Sequence, residues 1–138
     1  MVDLDEYLTA ILDQLAVTLR NEGRGASLRY SIEPLKLATD ASVNLGVVVT
    51  ELVTNAFKYA YPSGDGEVRV RLVSLPESKV ELTVEDDGVG RSEGPAKGTG
   101  IGTRIVQAMA ANMEANVEYL KRTRGTTARL IFPLKQAA

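Results

Sequence analysis

The 138-residue sequence contains no cysteine, no histidine and no tryptophan. Without thiols there is no disulfide framework and no thiolate-bound metal. Without imidazole there is no Ser-His triad, no His-ligated zinc and no histidine acid–base chemistry supplied by these residues. A dominant charge sign is lacking as well. The 16 Lys and Arg stand against 18 Asp and Glu, which gives no support to a nucleic-acid surface. No apolar run approaches the ~18 residues of a membrane-spanning helix, and the first residues carry no basic-then-apolar leader. With 44% hydrophobic residues, the chain is too apolar for long disorder. What is left is one ordinary-sized domain, expected to be cytoplasmic, with no nucleic-acid or membrane contact of its own.

Periodicity supplies the elements. Asp3 and Glu6 read as a capping pair, followed by Leu8, Ile11, Leu12, Leu15 and Leu19 at helical spacing. That helix is expected to end near Gly23 and Gly25. Leu28, Tyr30 and Ile32 alternate as a strand stopped by Pro34. A second helix is predicted from about Ala41 to Ala60, capped by Thr39 or Asp40 and closed by Tyr61-Pro62 and the turn 63–66. Val68, Val70 and Leu72, the turn Pro76-Glu77-Ser78, and Val80, Leu82 and Val84 form a hairpin with one buried face. A third helix starts near Ile101, with Ile105, Val106, Met109 and Ala110 on one side. A last hairpin runs from Val117 and Tyr119 through Thr123-Arg124-Gly125 and back through Thr127, Arg129 and Ile131 to Pro133. Three helices and about five strands, linked by hairpins rather than βαβ repeats, predict an α+β fold with a mostly antiparallel sheet covered on one face.

Three stretches have the makings of a site. On the second helix, Glu51, Asn55 and Lys58 stand at i, i+4 and i+7, sharing one edge. A carboxylate, an amide and an ammonium in a row suit a magnesium-bound phosphate chain, because Mg²⁺ takes hard oxygen ligands and keeps several waters. Taken alone, the same row is an ordinary solvated helix face. At a strand end, Glu85-Asp86-Asp87-Gly88-Val89-Gly90 is either a plain turn or a carboxylate at a pocket mouth. Such a carboxylate accepts a hydrogen bond from the adenine amine and rejects guanine, whose carbonyl oxygen faces it as a second acceptor. Gly98-Thr99-Gly100-Ile101-Gly102 opens the third helix, where bare backbone amides form an anion site. It is neither a Walker loop nor a dinucleotide fingerprint, since Thr103-Arg104 follows and a loop precedes. A flexible connecting loop is the alternative, yet six of the 12 glycines fall between Gly88 and Gly102.

In this order the segments resemble the Bergerat-fold ATPases and kinases, above all the catalytic ATP-binding domain of bacterial sensor histidine kinases. Glu51 to Ala60 resembles that family's N box, Asp86 to Gly90 its G1 box and Gly98 to Gly102 its G2 box. The opening Asp3 to Leu8 and the closing Gly125-Thr126 to Phe132-Pro133 are similar to the branch related to the HWE kinases. The resemblance implies a two-layer α/β sandwich with a mixed, mostly antiparallel sheet of about five strands under three helices. It implies ATP and Mg²⁺ as cofactors, with Asn55 as metal ligand and Glu51 as the catalytic glutamate that orders a metal-bound water or acts as base. Lys58 and Tyr59 fall where phosphate or ribose is contacted. Asp86 falls on the adenine-reading aspartate, with Gly88 and Gly90 shaping the base pocket. Gly98, Thr99, Gly100, Ile101 and Gly102 fall on the phosphate side, and Thr126 near the adenine. Residues 91–97 match the ATP lid, where Arg91 or Lys97 would touch the γ-phosphate.

The departures from the family pattern also carry information. Asp87 stands where Asn is usual, so a second carboxylate would either weaken ATP binding or hold a magnesium water. Thr99 and Ile101 replace leucines, the lid is short without a phenylalanine-led box, and the histidine and tryptophan of the HWE group are missing. With no histidine at all, the phosphoacceptor must come from outside these residues. The expected partners are therefore a histidine-bearing dimerisation domain, of the same kinase or another protein, and a response regulator downstream. Residues 1–138 would form a single catalytic domain. Two rivals share the fold, an anti-sigma-factor serine kinase and a docking module that has lost its chemistry.

Overall fold

The computed structural model describes residues 1–21, 26–61, 66–88 and 101–134. In chain order these form β1 (Val2–Asp3), α1 (Leu4–Asn21), β2 (Ala26–Ile32), β3 (Lys36–Leu37), α2 (Thr39–Ala60), β4 (Gly66–Leu75), β5 (Lys79–Asp86), α3 (Ile101–Asn112), β6 (Val117–Lys121) and β7 (Thr126–Pro133). Five strands make one sheet in the order β2-β4-β5-β7-β6. The predicted hairpins β4–β5 and β6–β7 are both present and antiparallel, and β5 pairs β7 antiparallel between them. In keeping with the mixed, mostly antiparallel sheet that the resemblance implies, β2 pairs β4 in parallel. The chain crosses from one to the other through α2, which is a βαβ connection and the reason the sheet is mixed.

Alternation decides which face the helices cover. Val68, Val70 and Leu72 of β4, Val80, Leu82 and Val84 of β5, and Ala128, Leu130 and Phe132 of β7 are all buried. They meet Leu4, Leu8 and Leu12 of α1, Leu45, Val48, Val49, Leu52, Val53 and Phe57 of α2, and Val106 and Ala110 of α3 in one core. The intervening residues of the strands face away from the helices, so the sheet has one buried side and one wet side. The apolar stripe of α2 runs through Val48, Leu52 and Val53, while Ala56 is only partly buried and Phe57 takes a central place.

Three local expectations are corrected. Asp3 does not cap α1; it lies in β1, paired with β3, and the first helical amide, Leu4 N, donates to Leu35 O at 2.8 Å. A backbone carbonyl from a distant segment has replaced the side-chain cap. Likewise α2 starts at Thr39 with Ala38 as its N-cap and no side-chain cap hydrogen bond, so neither Thr39 nor Asp40 has that role. On β7 the residues facing the core are Ala128, Leu130 and Phe132 rather than the Arg129 and Ile131 row. Gly23 and Gly25, expected to end α1, and residues 63–65 of the turn after α2 lie outside the described residues. Among the described residues no helix is long and apolar enough to cross a membrane.

Candidate functional site

The period-2 pattern of β5 runs straight into the candidate site. Asp86 continues the row of Val80, Leu82 and Val84, so its side chain enters the layer between sheet and helices and is only 6% exposed. Its Oδ1 accepts hydrogen bonds from Gly88 N at 3.1 Å and Thr126 N at 3.3 Å. Among the described residues, Oδ2 takes no hydrogen bond. Burial pushes this carboxyl above the ordinary aspartate range, helped by the neighbouring Asp87 charge and opposed by the two amides and by Arg122. One oxygen is thus used to orient the group and the other is left for a ligand donor.

Asp87, one residue on, points to the opposite side. There Arg69 grips its carboxylate with two hydrogen bonds, Nη1 to Oδ2 at 2.7 Å and Nη2 to Oδ1 at 2.8 Å. Arg122 Nη1 adds a third to Oδ1 at 2.9 Å. Arg69, between the core residues Val68 and Val70, necessarily faces away from the helices. The two guanidiniums hold Asp87 well below the usual carboxylate range. The partners that the Asp87 carboxylate has in the structure are these two guanidiniums. Asp87 closes an ion-pair cluster on the far face of the sheet. Arg69, Arg122, Arg124 and Tyr61 were not singled out from sequence; the available signal was the alternation of β4, which sets Arg69 opposite Glu85 in register.

Asn112 and Met113 at the end of α3 line one cavity with Asp40 and Asn44 at the start of α2 and with Phe132 and Pro133 at the end of β7. The two packed helices therefore run antiparallel. The 12-residue α3 is about 18 Å long and packs along α2. The far end of α2 reaches the strand end directly, where Tyr61 Oη accepts from Asp87 N at 2.8 Å. Thr126, the first residue of β7, is buried and its amide donates to Asp86.

Glu51 and Asn55 are half-buried on α2. Lys58 is exposed and lines the groove between α1 and α2 with Leu15, Leu19 and Phe57. Tyr59, Ile101 and Gly102 are described only as backbone, within α2 and α3. Gly90, Gly98, Thr99, Gly100, Arg91 and Lys97 lie outside the described residues. Among the described residues, no group of three His, Cys, Asp or Glu side chains forms a self-sufficient metal site. A hard amide oxygen at Asn55 fits a cation that takes its remaining ligands from phosphate and water, as Mg²⁺ does.

The chain is a layered α+β domain with a buried carboxylate, Asp86, at the end of a central strand. Residues 40–136 match the profile of the histidine kinase-, DNA gyrase B- and HSP90-like ATPase family, and the chain belongs to that family. It is 28% identical over 135 residues to blue-light-activated histidine kinase 2 of Erythrobacter litoralis, covering 94% of this chain and 39% of that protein. The histidine kinase domain of the Erythrobacter litoralis EL346 blue-light activated histidine kinase superposes with a TM-score of 0.82 at 24% identity, over 96% of this chain and 62% of that one. Full-length ShkA in complex with AMPPNP superposes with a TM-score of 0.80 at 20% identity, over 99% of this chain and 31% of that one. These likenesses establish the Bergerat-type fold. The chain spans between about a quarter and two fifths of the length of the curated relatives it matches.

Proposed function

We propose that this chain is the catalytic ATP-binding domain of a cytoplasmic sensor histidine kinase, a single domain that transfers the γ-phosphoryl of Mg-ATP to a histidine on a separate dimerisation domain. The observation that carries this reading is Asp86: a carboxylate at the end of an apolar row, with Oδ1 fixed by two amides and Oδ2 available to the adenine amine. Family membership and the AMPPNP complex of a structural relative support the ligand class. Asn55 would hold Mg²⁺ through its amide oxygen, and Glu51, one turn before it, would order water at the metal or serve as base. Lys58 and Tyr59 contribute at the phosphate or ribose, Gly88 and Gly90 at the base pocket, and Thr126 beside the adenine. Gly98, Thr99, Gly100, Ile101 and Gly102 supply backbone amides to the phosphates. Bound Mg²⁺ neutralises phosphate charge, and the protein contributes positioning, which is most of what phosphoryl transfer asks of it.

The N–P bond forms on an imidazole nitrogen as the bond from γ-phosphorus to the ADP oxygen breaks. The nucleophile comes from a histidine-bearing helical partner, because the chain has none; a response regulator then takes the phosphoryl group. The test is to incubate the chain with labelled ATP and such a partner, then treat the phosphoprotein with acid. Acid-labile label on the partner is expected. Acid-stable label would identify a serine kinase, and no label on any partner despite ATP binding would indicate a docking module. A separate check concerns the metal. Asn55→Ala is expected to abolish the Mg²⁺ dependence of ATP binding in calorimetric titrations, and equal strengthening by Mg²⁺ in that variant would exclude Asn55 as ligand.

A further inference from the structure

We infer that the ion-pair cluster on the helix-free face, built from Asp87, Arg69 and Arg122 and braced by Tyr61 and Arg124, sets the aim of Asp86 and thereby the preference for the 6-amino group of adenine. This rests on the reading of Asp86 given above. The backbone of Asp86 and Asp87 is held by side chains at three atoms. Asp86 O accepts from Arg122 Nη1 at 2.9 Å, and Asp87 O accepts from Arg124 Nε at 3.1 Å. Asp87 N donates to Tyr61 Oη at 2.8 Å, and that hydroxyl in turn donates to Glu67 O at 2.6 Å. The Asp87 carboxylate is forked by Arg69, which Glu67 and Glu85 hold at 3.0 and 3.5 Å.

These grips come from three separate places: the end of α2, β4 and the β6–β7 turn. A carboxylate on a strand end has little else to fix its direction. Among the described residues, Asp86 is anchored to Gly88 and Thr126 through one oxygen, at 3.1 and 3.3 Å, so a small rotation of the following peptide swings Oδ2. A hydrogen bond loses most of its value once its angle falls toward 120°. The cluster lies across the sheet from the side chain it orients, so Asp87, Arg69 and Tyr61 act as positioning residues without touching the base.

The experiment compares calorimetric affinities for Mg-ATP and for Mg-purine riboside triphosphate, which lacks the 6-amino group. The wild-type chain is expected to prefer ATP. Asp87→Ala is expected to reduce that preference by roughly tenfold, at the lower end of what losing an orienting partner costs a site. Tyr61→Phe keeps the ring beside Phe57 and removes only the hydroxyl, and it is expected to reduce the preference in the same direction. It decides the matter should Asp87→Ala fail to fold. A role confined to stability would weaken both nucleotides alike and leave their ratio at the wild-type value, which overturns the inference. Wild-type protein that binds both nucleotides equally would overturn the reading of Asp86 and this inference with it. Preference lost in Asp86→Asn but intact in Asp87→Ala and Tyr61→Phe would overturn the inference alone.

Discussion

Replacing Asp86 with Asn is expected to weaken ATP binding by about 1.5–3 kcal/mol, or roughly 10- to 150-fold, the range for a lost hydrogen bond to a charged group. The same change is expected to leave the domain no less stable at pH 7. Asn retains an Oδ1 that can accept from Gly88 N and Thr126 N, so the local turn keeps its two hydrogen bonds. What it removes is a buried charge. Because burial raises the Asp86 pKa, the folded state holds that proton more tightly than the unfolded chain, whose aspartates titrate near ~3.9. Ionising Asp86 therefore costs stability as pH rises from the unfolded value through the folded one, and above both the cost is complete. The charge is a functional expense borne by the fold. Calorimetry with ATP and thermal unfolding at pH 7 check both halves. Unchanged affinity would remove Asp86 from the base pocket, and a clear drop in melting temperature would mean its charge is structurally required. The affinity gap between wild type and variant should narrow as pH falls into the range where Asp86 takes up its proton, above that of an ordinary aspartate.

The second large effect is expected at Gly125. Its φ of +93° lies in the left-handed region, where a side chain costs about 1–2 kcal/mol. Space is the harsher constraint. A Cβ at this position would sit 1.9 Å from Asp86 O, 2.6 Å from Asp86 C and 2.8 Å from Asp87 Cα. All three are backbone atoms, so no rotamer change relieves the clash. In Gly125→Ala the β6–β7 turn has to lift off the end of β5, and the contacts of Arg122, Arg124 and Thr126 with residues 86 and 87 go with it. A destabilisation of about 3 kcal/mol or more is expected from strain plus lost hydrogen bonds, together with weaker ATP binding. Denaturant unfolding and ATP titration of the same sample test this. A variant with wild-type midpoint and affinity would show that the turn does not brace the strand end.

The two effects explain why the site was only half legible in the sequence. Asp86, Gly88, Asn55 and Thr126 could be picked out because they belong to short local patterns. Apolar alternation through Val84 even fixes the side of the sheet on which Asp86 lies. Asp87 could not be read that way. Its neighbour in the sequence is a buried carboxylate, but its partners, Arg69 and Arg122, are 18 and 35 residues away. Gly125 reads as a routine turn residue until the backbone of Asp86 is seen against it. The caps failed for a similar reason: Leu35 O meets Leu4 N only after the β1–β3 pair has formed.

Local chemistry, then, determined the three helices, the two hairpins, the buried side of each central strand and the kind of ligand expected. Those depend on side-chain period and on turn residues, which act within a few positions of one another. The tertiary structure alone decided the parallel pairing of β2 with β4, the antiparallel lie of α3 on α2, and the separation of Asp86 from Asp87 onto opposite faces with different charges around them. Each of these depends on which distant segments meet, and a contact between residues tens of positions apart leaves no periodic mark on the chain.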